Sequence, residues 1–314
     1  MTTTARRTQT VAALGAALAL VLTACGDDGG GGTTSTGEDA GLEGATLTVG
    51  SKEFTESNVL MWITIGALQN AGADVSDASL AGSATVREAL ESGELDMYWE
   101  YTGTGWVNIL GNTTVDLPDD LYAAVAEADA ENEIAWLEPA PLDDTYRIAV
   151  TGDFAEENSL TNMTEAAEFI NDNADDGTLC AASEFINRDD GLPGLQEAYG
   201  FEFSDVIELD LSLVYTEIGG SCQFGEVFST DGRILGNNLT VLEDDGEFFP
   251  GYNAALTMRQ ETLDEFPAIE EVMTPIAEAL TDEEITALNA AVDVDGETEE
   301  DVAMEWLEEN GFVG

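Results

Sequence analysis

In a chain of 314 residues, 65 aspartates and glutamates stand against eight lysines and arginines, and histidine is absent, for a formal net charge of −57. Such a surface repels nucleic-acid phosphates and anionic membranes, and without histidine the usual proton carrier of serine and cysteine nucleophiles is missing. A hydrophobic share of 44%, with apolar residues recurring along the chain, excludes an acidic disordered protein; the charge balance instead fits work at high salt, where mobile ions screen like charges.

The N-terminus reads as a secretory signal. Arg6 and Arg7 precede an apolar run from Val11 to Leu22, and Leu22-Thr23-Ala24-Cys25 follows. The run is too short to span a bilayer. A small-residue stretch ending in cysteine resembles the lipobox of bacterial lipoproteins, which implies cleavage after residue 24 and a lipid on Cys25. The paired arginines lack the apolar residues that follow them in twin-arginine signals, since Thr8 and Gln9 stand there. Residues 25–44 are rich in glycine, threonine and acid and form a tether.

Ala45–Gly50 alternates like a strand, and a helix follows with the apolar face Val59, Leu60, Ile63, Ile65 and Leu68, the opening of a βα unit. Thr85 and Glu88 have capping-box spacing and start a short helix that stops near Gly93. Next comes the densest aromatic stretch, Asp96 to Trp106, reading DMYWEYTGTGW. It predicts a strand to Tyr101 that Thr102, Gly103 and Gly105 terminate in a loop. Strand alternation places Trp99 and Tyr101 on one face, Tyr98 and Glu100 on the other.

A helix over Leu121–Ala130, a strand over Ile134–Pro139 and a new strand over Arg147–Thr151 place a crossover near Asp144. A second α/β block follows: a helix Thr164–Asn171, a strand Leu179–Ala182, a loop Asn187–Pro193, a helix to Tyr199, and strands near Val206–Leu211, Val227–Ser229 and Leu239–Leu242. A strand Ala254–Met258 and three helical stretches complete the chain, the last with Thr298 and Asp301 at capping spacing and Gly311 as its stop. Two α/β lobes leave a cleft where small ligands bind.

In chain order, Gly50-Ser51-Lys52-Glu53-Phe54-Thr55-Glu56, Arg87-Glu88-Ala89-Leu90, Tyr98-Trp99-Glu100-Tyr101-Thr102-Gly103-Thr104, Asp189-Asp190-Gly191-Leu192-Pro193 and Phe228-Ser229-Thr230-Asp231-Gly232-Arg233 closely resemble the solute-binding proteins of ABC importers for glycine betaine, choline and related quaternary amines. The resemblance runs from about Ala45 to the C-terminus. It implies the two-lobed type II periplasmic-binding-protein fold: residues 45–144 in lobe 1, 145–252 in lobe 2 and 253–314 returning to lobe 1. It also implies no cofactor, no metal and no enzymatic activity. The partners it implies are a betaine-type ligand and the permease and ATPase of an importer, with osmoprotection as the role and the outer face of the cell membrane, reached by a lipid anchor, as the location.

By the same resemblance, an aromatic cage for the quaternary ammonium falls on Tyr101, Tyr146, Phe228 and Tyr252, with Asp144 assisting the cation. Phe228 replaces a tyrosine common in the family, keeping the π face and losing the hydroxyl. The ligand carboxylate falls to Lys52, Thr104 and Arg188. Composition adds weight to one of them, because Lys52 is the one lysine of the chain. Arg188, as a planar fork, suits a carboxylate best. Arg87, Arg147 and Arg259 read instead as salt-bridge partners of the many carboxylates. Cys180 and Cys222 in an exported protein read as a disulfide, and two sulfurs without histidine do not make a tetrahedral metal site.

Three other functions compete: a receptor that senses the same solute, a ligand of the choline type without a carboxylate, and a structural lipoprotein. Paired carboxylates for glycoside hydrolysis arise by chance among so many acids.

Overall fold

The computed structural model describes residues 41–115 and 117–314. The expected signal segment, Cys25 and most of the expected tether lie outside the described residues.

Two five-stranded sheets organise the chain. The first contains β1 (Thr46–Lys52), β2 (Asp74–Leu80), β3 (Met97–Tyr101), β4 (Ile134–Trp136) and, from the far end of the sequence, β10 (Ala254–Arg259), in the order β2-β1-β3-β10-β4. The second contains β5 (Tyr146–Thr151), β6 (Thr178–Ala181), β7 (Asp205–Glu208), β8 (Phe224–Phe228) and β9 (Leu239–Val241), in the order β7-β6-β8-β5-β9. Each sheet has three parallel strands, followed by an antiparallel strand that enters from a crossing segment (β10 or β5) and a short outer strand. The two lobes therefore share one topology, although their sequences show no repeat. This is the two-lobed mixed α/β fold expected, and helices cover the sheet faces as buried parallel strands require.

In lobe 1, α1 (Thr55–Asn70) buries Val59, Leu60, Ile63, Ile65 and Leu68 beneath the C-terminal helices α11 (Ala268–Ala279), α12 (Asp282–Asp293) and α13 (Glu299–Glu309). Trp99 belongs to this core, its indole Nε1 donating to Thr64 Oγ1 at 2.8 Å. On the opposite sheet face Tyr98 packs with Val86 and Leu90 of α2 (Gly82–Ser92), so the alternation along β3 holds. The chain crosses between lobes twice, and the crossings touch: Tyr252 N donates to Asp143 Oδ1 (2.7 Å) and Asp144 N to the Tyr252 carbonyl (3.2 Å). A disulfide joins Cys180 on β6 to Cys222 before β8.

Several sequence expectations require correction. Ordered structure reaches back into the expected tether, because Leu42 is buried in the core of lobe 1. The helix expected to start at Thr85 starts at Gly82, where carboxylates from elsewhere replace a local cap: Glu53 accepts from Gly82 N (2.6 Å) and Glu184 from Ser83 N (3.3 Å). The Thr-Gly-Thr sequence does not end regular structure, since a helical segment runs on through Thr104–Ile109 and Gly103 is itself helical at φ −62°, ψ −43°. These glycines serve close packing, because a β-carbon would lie 2.7 Å from the Tyr252 ring at Gly103 and 2.7 Å from Trp136 at Gly105. A fourth helical stretch, α10 (Gln260–Glu265), precedes the three expected at the end.

Candidate functional site

Lobe 1 and lobe 2 enclose a cavity of about 760 Å³. All eight residues expected to hold a ligand line it: Lys52, Tyr101, Thr104, Asp144, Tyr146, Arg188, Phe228 and Tyr252. Lys52, Tyr101 and Phe228 stand at the ends of β1, β3 and β8 and Tyr146 at the start of β5; Thr104 opens the helical segment after β3, Arg188 follows the helix Ser183–Asn187, and Asp144 and Tyr252 lie in the crossings just before β5 and β10.

The aromatic residues form one continuous wall. Ring centroids step from Tyr101 to Phe54 (6.1 Å), to Phe228 (5.3 Å), to Tyr146 (4.9 Å) and to Tyr252 (5.5 Å). Phe54 was not anticipated; its signal lay in the quoted SKEFTE segment, one residue before α1, but a lone phenylalanine ahead of a helix reads as packing. The wall is held by hydroxyl bonds behind it, Tyr101 Oη to Glu56 Oε1 (2.9 Å) and Tyr252 Oη to Asp190 Oδ2 (2.7 Å). Such rings present negative π density to a cation.

The basic residues are already paired within the protein. Lys52 Nζ donates to the fully buried Glu100 at 2.6 Å and sits 4.9 Å from the Tyr101 ring centre. The Arg188 guanidinium grips Asp190 with Nε (2.8 Å) and Nη2 (2.5 Å), reaches Thr104 Oγ1 (3.1 Å) and gives Nη1 to Glu184 (2.8 Å). It also lies 5.4 Å from the Tyr146 ring centre. Burial works to raise the Glu184 carboxyl, but Lys52, Arg188 and the Ser83 hydrogen bond outweigh it and hold the group below the usual carboxylate range. Of the other arginines, Arg87 pairs bidentately with Asp129 (2.6 Å) and Arg259 with Asp96 (2.7 Å). Arg147 departs from expectation: among the described residues it makes no ion pair, donating instead to the Tyr146 carbonyl at 2.9 Å.

At the back of the aromatic wall, Asp144 meets Glu56. Thr230 Oγ1 lies 2.6 Å from Glu56 Oε2 and 2.7 Å from Asp144 Oδ1, and Asn289 Nδ2 donates to Glu56 as well. Burial raises both carboxyls; the charge of Glu56 adds to the shift at Asp144, and that of Asp231 adds to both. Glu226 on β8 is likewise pushed up to about 8, chiefly by burial. The Ala182 amide and Arg188 oppose that shift, and Glu184 adds to it.

The family model described as the substrate-binding domain of an ABC-type glycine betaine transport system matches residues 45–309. A glycine-betaine-binding protein of Pseudomonas aeruginosa is 36% identical over 286 residues, covering 87% of this chain and 91% of that one. The glycine betaine-binding protein YehZ of Escherichia coli is 32% identical over 279 residues, covering 84% and 90%. Its apo structure superposes with a TM-score of 0.61 at 30% identity, over 85% of this chain and 99% of that one. Sequence, topology and an interlobe cavity thus agree, and the chain belongs to the family of substrate-binding domains of ABC-type glycine betaine transport systems, binding proteins rather than enzymes.

Proposed function

We propose that this protein is a lipid-anchored, extracytoplasmic receptor that captures glycine betaine or a closely related carboxylated quaternary amine and hands it to the permease of an ABC importer. The observation that carries this reading is the unbroken wall of five rings, drawn from both lobes, in a cavity that also holds Lys52, Thr104 and Arg188. A methylated ammonium cannot donate hydrogen bonds, so π faces are its appropriate partners; the carboxylate finds cations and a hydroxyl in the same space. The binding proteins of Pseudomonas aeruginosa and Escherichia coli named above support the same ligand class. Isothermal titration with glycine betaine and choline tests it. Saturable one-to-one binding of glycine betaine is expected, and absence of heat for both ligands would refute the reading.

A further inference from the structure

The anion end of the cavity already contains an anion. Glu184 Oε1 takes Arg188 Nη1 (2.8 Å) and the Ser83 hydroxyl (2.7 Å), while Oε2 faces the Ser83 amide (3.3 Å) and the first turn of α2. It lies within the field of Lys52 as well. Asp190 and Thr104 take the Nε and Nη2 donors of Arg188. A ligand carboxylate that approaches the guanidinium therefore meets Glu184 at Nη1, and two carboxylates at one donor group repel. Glu184 can yield, because its side chain is 33% exposed and sits on the short α6 (Ser183–Asn187), whereas Asp190 is fully enclosed.

Resting on the proposed function, we infer that Glu184 is a specificity-determining residue: an internal carboxylate that occupies the ligand's anion subsite and biases the cavity against zwitterionic quaternary amines relative to purely cationic ones. A cation without a carboxylate leaves Glu184 in place, and its charge contributes to holding that cation. A zwitterion must displace it and inherits Ser83 and Arg188 Nη1.

The test compares Kd for glycine betaine and choline by isothermal titration of the wild-type chain, Glu184→Gln and Glu184→Ala, with a thermal melt of each, and Asp189→Asn as a control. Asp189 is exposed, next to Arg188 in sequence and outside the cavity lining, so its loss removes the same formal charge without touching the subsite. Both Glu184 variants are expected to shift the ratio of affinities toward glycine betaine by about tenfold, with the control unmoved. A ratio that stays put or moves toward choline in both Glu184 variants, or an equal shift in Asp189→Asn, overturns the assignment. If neither ligand binds wild type or variants, the reading of the cavity itself fails, and the inference with it.

Discussion

Phe54 and Phe228, one from each lobe, face each other across the cleft with ring centres 5.3 Å apart and planes tilted by 35°. The pair closes the aromatic wall, and neither ring carries a hydroxyl that could add a hydrogen bond. Their expected contribution to a bound ammonium is therefore one of π face and apolar contact alone. Phe54→Ala is expected to weaken glycine betaine and choline in parallel, by about 0.5 to 2 kcal/mol each, and Phe54→Tyr to be nearly silent. Titration of both variants with both ligands checks this.

Arg188 is structural as well as cavity-lining. Removing it leaves Asp190, fully enclosed and bonded to Tyr252, without its ionic partner. Breaking one side of a buried pair costs about 3 to 5 kcal/mol, so Arg188→Ala should lower the melting temperature as well as the betaine affinity. Arg188→Lys should not restore either, because an ammonium cannot span Asp190, Thr104 and Glu184 at once. Denaturant titration of the three proteins measures the loss.

Glu226 gives stability a pH dependence of definite sign. Its carboxyl is raised to about 8 in the fold, against 4.5 without the fold's influence. The favourable contribution of the neutral form is thus complete below the unfolded value and is lost as pH rises toward 8. Glu184 and Arg188 are the charged groups that influence it. Melts between pH 5 and pH 9 should show falling stability in the wild type, and Glu226→Gln should flatten that slope.

The net charge of −57 predicts that stability rises with ionic strength. A melting point unchanged or higher in dilute buffer than in molar potassium chloride would contradict adaptation to salt.

The Cys180–Cys222 bond closes a stretch of 42 residues, for which loop-closure entropy suggests about 2 to 4 kcal/mol. Replacing both cysteines with serine should lower stability by that order, measured by denaturant unfolding. The ratio of betaine to choline affinity should not change, because both sulfurs lie outside the cavity lining.

The buried elements were legible in the sequence because their apolar pattern is unambiguous: α1 through Val59 to Leu68, β3 through Tyr98 and Trp99, and the lobe-changing strands β5 and β10. Elements at the margin were not. The edge strand β2, DVSDASL, pairs through its whole length with β1 but buries little beyond Val75, so its side chains carry no strand signal. The helix α8 (Leu211–Glu217) lay hidden behind a run that reads as strand continuing from β7. In the site, residues tied to dense local motifs were visible. Phe54, Glu184 and Glu226 were not, because each acts by meeting residues 44 to 174 positions away, a juxtaposition that only the fold creates.

The hydroxyl of Thr230 owns a single hydrogen, yet stands within 2.7 Å of carboxyl oxygens on both Glu56 and Asp144. The second contact is satisfied where one carboxyl keeps its proton, and burial raises both carboxyls toward that state. Tyr101 and Asp231 are the other titratable groups that influence the pair. Thr230 belongs to lobe 2 and Glu56 to α1, so this tie between the lobes counts protons: it is intact where the pair retains one and is lost as pH rises through the raised values. Binding that moves Thr230 relative to Glu56 is then expected to change the number of bound protons, readable as a dependence of binding enthalpy on the ionisation heat of the buffer, and Asp144→Asn should reduce that dependence.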